Sequence, residues 1–410
     1  MAAAFTSLLE LNGRLRSGAV KARGVVRETA RELAGDAQPG GAVRAVLQDE
    51  AIRAARDVER ELKRGRTRGV LQGAPFGVSE LLQTAGRPAA WAPEEDPRQS
   101  GDAAAVERLR RARALPLAVL ASPALGGFVS GPGAEEAACA SVVARALLPF
   151  AVTLDFNGNV LRAALRHGCY ALRPTFGTVS GYGAAPLTWT LGAVSVLART
   201  AEDCGHVLAG MSGGDIRCQH SPGRTFRFAP EYARPQGELR ILMPPGAPSA
   251  PPWIMSSGAK LLDAPVPSEP CLAVMEVLIA SEAADAFQEE LERSEDGRRY
   301  LEEARAAGAV DYLRAMRIRR SVQNWYSSAF TDADLAWLPC DADEIRRGWE
   351  ESEPASGAVL WLAAALLAGA PVLACGAGAG NSRFPCCLTG RPGSENQLLR
   401  FAAAAAGGLA

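Results

Sequence analysis

The chain has 410 residues, enough for two domains or for one large α/β domain with a many-stranded sheet. Apolar content of 48% and charged content of 22% are ordinary for a globular protein with a sizeable core. A net charge of −1 excludes a general pull toward nucleic acid or an anionic membrane surface, and no apolar run reaches the roughly 18 residues of a membrane span.

Residues 1–70 hold 14 Lys/Arg against 9 Asp/Glu, a local excess that reads first as a solvated helix face. Only Lys21, Lys63 and Lys260 are lysine; every other basic residue is arginine. The nine cysteines show neither metal nor disulfide spacing, which points to reduced thiols in the cytoplasm or an organelle matrix, the mitochondrion included.

Residues 5–35 predict two amphipathic helices divided near Ser17–Gly18, and Asp49–Lys63 a third. Val70–Val78, apolar but broken by glycine and proline, suits a buried strand with its turn. A helix over Asp102–Ala114, capped by Asp102, leads to a compact strand at Leu115–Leu120. Helix Ala137–Ala146 and strands Phe150–Leu154 and Ala171–Pro174 keep the alternating rhythm. Residues 220–258 are Pro/Gly-rich connections around a strand at Leu239–Met243, and Glu276–Ala306 is mainly helical. Strands at Leu335–Pro339 and Val372–Cys375 return to the sheet, with a buried helix at Ala358–Ala370 between them. The expected fold is α/β: a large, mostly parallel mixed sheet covered by helices on both faces. With no repeat or linker evident, one domain is expected over 1–410. It divides into N-terminal helices (1–70), a core (71–205), a divergent, partly helical region (206–330) and a return to the core (331–410).

Three blocks resemble the amidase-signature family, which includes the A subunit of the glutamyl-tRNA amidotransferases. They are 73–81 (GAPFGVSEL), 147–177 (LLPFAVTLDFNGNVLRAALRHGCYALRPTFG) and 178–203 (TVSGYGAAPLTWTLGAVSVLARTAED). Weaker echoes lie at 118–128 and 389–401. The resemblance implies the family fold and its chemistry. In that chemistry a neutral lysine activates a bridging serine, which activates a nucleophilic serine beside oxyanion-holding backbone N–H groups. It also assigns positions: the lysine falls on Ser79, the bridging serine on Glu135, the nucleophile on Asn159, and the oxyanion run on Phe156, Asn157 and Gly158.

Asparagine has no hydroxyl for a covalent step, and arginine, protonated below a pKa of about 12, cannot replace the lysine. Gly192 stands where the family has aspartate and Leu161 where it has arginine, whereas Gly77, Asp155, Pro174, Gly177, Pro186, Arg199 and Thr200 match. The expectation is therefore a pseudoenzyme: not an enzyme, but an inactive amidase-like structural or accessory subunit that partners other protein subunits. It meets nucleic acid only inside a larger ribonucleoprotein, and no cofactor or metal is expected.

Two alternatives stay open. One is a repurposed amide or ester hydrolase using Cys139, Ser141 or the carboxylates Glu135, Glu136 and Asp155; the other is a small-molecule-binding module in the same pocket. The bland readings are a packed thiol for Cys139 and a turn-stabilising role for Asp155. The pairs His167/Cys169, Cys204/His206 and Cys218/His220 lack zinc spacing and read as core packing. Arg108, Arg110, Arg111 and Arg113 read as a solubilising helix face.

Overall fold

The computed structural model describes residues 5–37, 41–87, 91, 101–122, 137–221, 223–293, 295–350, 355–376 and 385–406. Within them eleven strands form one sheet: β1 (Val43–Val46), β2 (Pro75–Ser79), β3 (Leu115–Leu120), β4 (Phe150–Asp155), β5 (Tyr170–Arg173), β6 (Ala193–Ala198), β7 (Arg240–Met243), β8 (Lys260–Asp263), β9 (Leu335–Leu338), β10 (Val372–Cys375) and β11 (Cys386–Gly390). Their order is β1-β3-β2-β4-β6-β5-β10-β11-β9-β7-β8. Every residue of β2, β4 and β6 is buried, so both faces of the central sheet are covered, by the helices that alternate with the strands.

The expected α/β fold with a large mixed sheet is what forms, with a smaller parallel share than the rhythm suggested. Parallel pairing is confined to β3–β2–β4 and β9–β7–β8; the other neighbours are antiparallel. Antiparallel β6, inserted between β4 and β5, breaks the simple strand–helix alternation.

Several elements lie where the apolar pattern put them, including β3, β10 and the helix Gln48–Lys63. The N-terminal pair are Leu8–Arg16 and Ala22–Ala34. The helix Gly357–Ala368 is apolar on every side and almost wholly buried; Ser356 caps its start and left-handed Gly369 (φ 66°) ends it.

Within Val70–Val78 the turn comes first and the buried strand begins at Pro75: Gly73 (φ 86°) makes the turn, and its missing side chain leaves room for Leu15 and Val58. One local expectation is corrected. Asp102 does not cap its helix, which spans Ala104–Arg111. It accepts instead from the Ala85 N–H at 2.8 Å and pairs with Arg110 at 2.7 Å.

Candidate functional site

The site lies where parallel strands β2, β3 and β4 end together. Ser79 closes β2 opposite Leu120, the last residue of β3, and the rings of Phe76 and Phe150 stack at 5.1 Å between β2 and β4. The Ser79 side chain is buried, and its Oγ accepts the Leu81 N–H at 3.3 Å.

Strand β4 ends on Asp155, turns through Phe156, Asn157 and Gly158, and enters the helix Asn159–His167. Gly158 is the N-cap at φ 88°, a left-handed conformation that disfavours a side chain. Asp155 is fully buried and organises the turn. Its Oδ1 accepts the N–H groups of Gly158 (3.0 Å) and Val160 (3.2 Å), and its Oδ2 accepts Arg173 Nη1 at 2.8 Å. The same Nη1 donates to the Asp155 carbonyl at 2.8 Å, and Nη2 to the Leu191 carbonyl. Asn157 Oδ1 accepts the Asn159 N–H at 3.1 Å. Three successive N–H groups, 158 to 160, are thus held by the turn's own side chains.

Ser79 and Asn159, distant in sequence, line one small cavity with Ser122, Thr153, Cys139 and Phe156. Its free space, about 30 Å³, is room for one water. Ser122 and Thr153 carry hydroxyls that sequence reasoning missed; their only signal is position, at the end of β3 and within β4. Glu135 and Glu136 lie outside the described residues.

The alternative candidates sort by burial. Desolvation pushes the Cys139 thiol up to about 12, so it is a protonated packing group at neutral pH. Ser141 is half-buried on the helix Ala138–Ala144. Asp155 is committed to Arg173 and the turn, which leaves it no acid/base role. Gly192 explains itself: a Cβ there would meet the Thr188 carbonyl at 2.7 Å, so aspartate does not fit this turn. Leu161 is fully buried among apolar neighbours.

No group of three or more His, Cys, Asp or Glu among the described residues has metal-holding geometry. Cys169 and Cys204 are buried with raised thiol pKa values, and His206 packs edge-on to Phe228 at 4.6 Å. The arginine face is tied down: Arg108 donates to the carbonyls of Met211, Gly213 and Gly214. Arg110 pairs with Glu50 and Asp102, Arg111 with Glu107, and Arg113 with Glu61.

The family model described as Amidase matches residues 137–252. The chain is 27% identical to an amidase of Pseudomonas putida over 409 residues, covering 87% of this chain and 85% of the relative. It is 30% identical over 213 residues to the putative amidase AmiD of Mycobacterium tuberculosis, matching 48% of this chain but only 44% of AmiD's length. It is 29% identical over 205 residues to the A subunit of the glutamyl-tRNA(Gln) amidotransferase of Archaeoglobus fulgidus (45% and 44%).

Among solved structures, the peptide amidase of Stenotrophomonas maltophilia superposes with a TM-score of 0.77 at 22% identity, covering 97% and 96% of the two chains. A chain from a vestigial protein complex that bears on the origins of an s-triazine catabolic enzyme gives 0.82 at 20% identity (98% and 99%). In fold, and in sequence across residues 137–252, the chain is thus similar to the amidase-signature family.

These findings overturn one expectation. The sequence reading made the protein a pseudoenzyme and not an enzyme; the relatives it resembles are named amidases and amidotransferase subunits, which are enzymes. Missing side chains at three aligned positions, the basis of that reading, describe one mechanism rather than all the chemistry a cavity can hold. No helix among the described residues is long and apolar enough to cross a membrane.

Proposed function

We propose that the protein is a single-domain member of the amidase-signature family. It acts on an amide or ester of a small molecule, within a larger protein assembly, by chemistry other than the Ser–cisSer–Lys relay. The observation that carries this reading is the meeting of Ser79 and Asn159 on the walls of one cavity at the ends of β2 and β4. We assign Ser79 the nucleophile's role: its Oγ accepts the Leu81 N–H, which leaves its own proton to be donated. By sequence alone Glu135 falls on the family's relay position, which makes it the candidate to take that proton as the acyl carbon bonds to Ser79 Oγ and to return it to the amine or alcohol that leaves. The Asn159 amide supplies N–H donors for the carbonyl oxygen in place of the turn's backbone groups, which Asp155 and Asn157 hold.

The free space is about 30 Å³, so Phe156, rather than the donor Asn159, is the lining side chain that must move for the substrate's carbonyl to reach Ser79. Support for an assembly is comparative: one relative carries the name of a subunit, and one structural neighbour comes from a complex.

The test is turnover of a panel of amides and esters by the purified protein and by its native complex, with Ser79→Ala, Asn159→Ala and Glu135→Gln alongside. Turnover should vanish in Ser79→Ala. Wild-type silence across the panel, or turnover that survives Ser79→Ala, refutes the site assignment. Crosslinking and size-exclusion from native extract read the assembly separately; a strictly free monomer refutes that part.

A further inference from the structure

A second space lies at the opposite end of β4 and β6 from Asn159. Ala193 of β6 pairs with Asp155 at the candidate site, whereas Ala198 pairs with Phe150 at the other end, and Arg199 follows directly. Five residues of strand, about 17 Å, separate the two ends. There Arg199, the turn before β4 and the outer side of the helix Ala22–Ala34 enclose a groove of about 260 Å³. At the roughly 30 Å³ a water molecule occupies, this equals about nine non-hydrogen atoms.

The wall chemistry is divided. Phe5, Val20 and Leu147 supply an apolar side. Arg199 enters with a half-buried side chain whose Nε is fully buried and meets no acceptor among the described residues. The neighbouring acid does not satisfy it: Asp203 spends Oδ1 on the Leu8 N–H, and its Oδ2 has no hydrogen-bond partner among the described residues. Lys21 stands at the mouth as a second cation, while Glu28 and Glu32 on the helix face the same space and pair with no described cation. Gly24 opens the groove's floor: nothing lies within 4 Å of where its Cβ would be.

A groove lined by a half-buried guanidinium, a lysine, two carboxylates with no described cation partner and an apolar wall complements one chemical class. We propose that it binds a small zwitterion of apolar α-amino-acid type. The ligand's carboxylate pairs with the part of the Arg199 guanidinium that faces the groove, with Lys21 beside it. Its ammonium donates to Glu28 and Glu32, and its side chain lies on Phe5, Val20 and Leu147. Both charged contacts are charge-assisted hydrogen bonds. This ligand is distinct from the substrate of the Ser79/Asn159 site.

The probes are leucine, 4-methylpentanoate (no ammonium) and leucinamide (no carboxylate), titrated by calorimetry into the full-length protein. Leucine should bind at one site at least about tenfold more tightly than either analogue. Arg199→Gln should weaken it at least about tenfold, and Gly24→Phe should abolish it. Gly24→Phe fills open space on a helix with ordinary backbone angles, so it stays folded, which circular dichroism checks. Absence of leucine binding to the limit of its solubility overturns the proposal, as does binding that survives Gly24→Phe. Binding lost in Ser79→Ala but kept in Arg199→Gln places leucine in the other cavity and also overturns it. An affinity for 4-methylpentanoate equal to that for leucine overturns the ammonium contact and with it the amino-acid class.

Discussion

Arg173 reaches across two strand pairings to hold Asp155 at 2.8 Å, with the two side chains 1% and 0% exposed. Position 155 lies on β4 and position 173 on β5, separated by β6, so one ion pair ties three adjacent strands and the turn that begins the helix Asn159–His167. The Asp155 carboxylate is fully engaged, by the guanidinium on one oxygen and by two backbone N–H groups on the other. A buried pair this well bonded is costly to break from one side, because the remaining charge stays in the core without compensation.

Arg173→Met should therefore lose about 3 kcal/mol or more of unfolding free energy, measured by urea denaturation. Adding Asp155→Asn should recover part of that loss, because the uncompensated charge is gone. A single-variant loss below about 1 kcal/mol would show that the pair does not organise the core.

Asp203 predicts a pH dependence of the opposite sign to an ordinary ion-paired carboxylate. Burial pushes its pKa up to about 6 from an ordinary 3.8, although it accepts the Leu8 N–H at 3.0 Å. The folded protein thus holds the proton more tightly than the unfolded chain. The group's stabilising contribution is fully present below about pH 4, is lost as pH rises to about 6, and is flat above that. Two pKa units correspond to about 3 kcal/mol. Asp203→Asn keeps an acceptor for Leu8 without the charge, so it should be more stable than the wild type at neutral pH and lose that slope. Parallel stability curves for the two proteins between about pH 4 and 7 would sink this reading.

Cys139 should resist alkylation. With its thiol held near 12 by burial, it carries almost no thiolate at neutral pH. Maleimide labelling of the native protein, read by mass spectrometry, should modify Cys218 first, the one cysteine of nine that is not buried. Because Cys139 lines the Ser79 cavity, Cys139→Ala changes its shape but should leave turnover measurable; abolished turnover in a stable variant would restore the thiol as a nucleophile.

How much of this was legible in the sequence depends on the distance over which the signal acts. Strand β3 is a compact apolar run, and its ends, Leu115 and Leu120, were readable from neighbours alone. Asn159 and Ser79 could be placed because their flanking motifs fix the register, and the fold brings both to one cavity. The helix Ala309–Ala329 went unread because it buries little more than Ala315, Arg319, Val322 and Tyr326 along 21 residues, too thin a stripe for the periodicity to show. Strand β6 was missed because it sits inside a motif block read for its loops. The partnership of Asp155 with Arg173 needs strand order, which no local pattern supplies. Ser122 and Thr153 were passed over for the same reason, so the chemistry was judged on three aligned positions rather than on everything lining the cavity. That is why the enzyme class was misread while the fold was not.

The turn beside Asn159 is also held from outside, and this gives the last prediction. Trp349, on the helix Ala342–Glu350, donates its indole N–H to the Asn157 carbonyl at 2.8 Å, and its ring lies 4.0 Å from the position a Cβ on Gly158 would take. Arg173 fixes where the turn leaves β4; Trp349 fixes how far it stands from the cavity. Trp349→Phe keeps an aromatic ring over Gly158 but removes the donor, leaving the Asn157 carbonyl without that bond at a cost of about 1 kcal/mol. Because Asn157 in turn holds the Asn159 N–H, the looser turn should shift Asn159 as well. Trp349→Phe should then raise KM for any substrate of the Ser79 site by more than its loss of thermal stability accounts for, and amide hydrogen exchange at 157–160 should quicken. Exchange there equal to wild type, with stability reduced, would make Trp349 a packing residue alone.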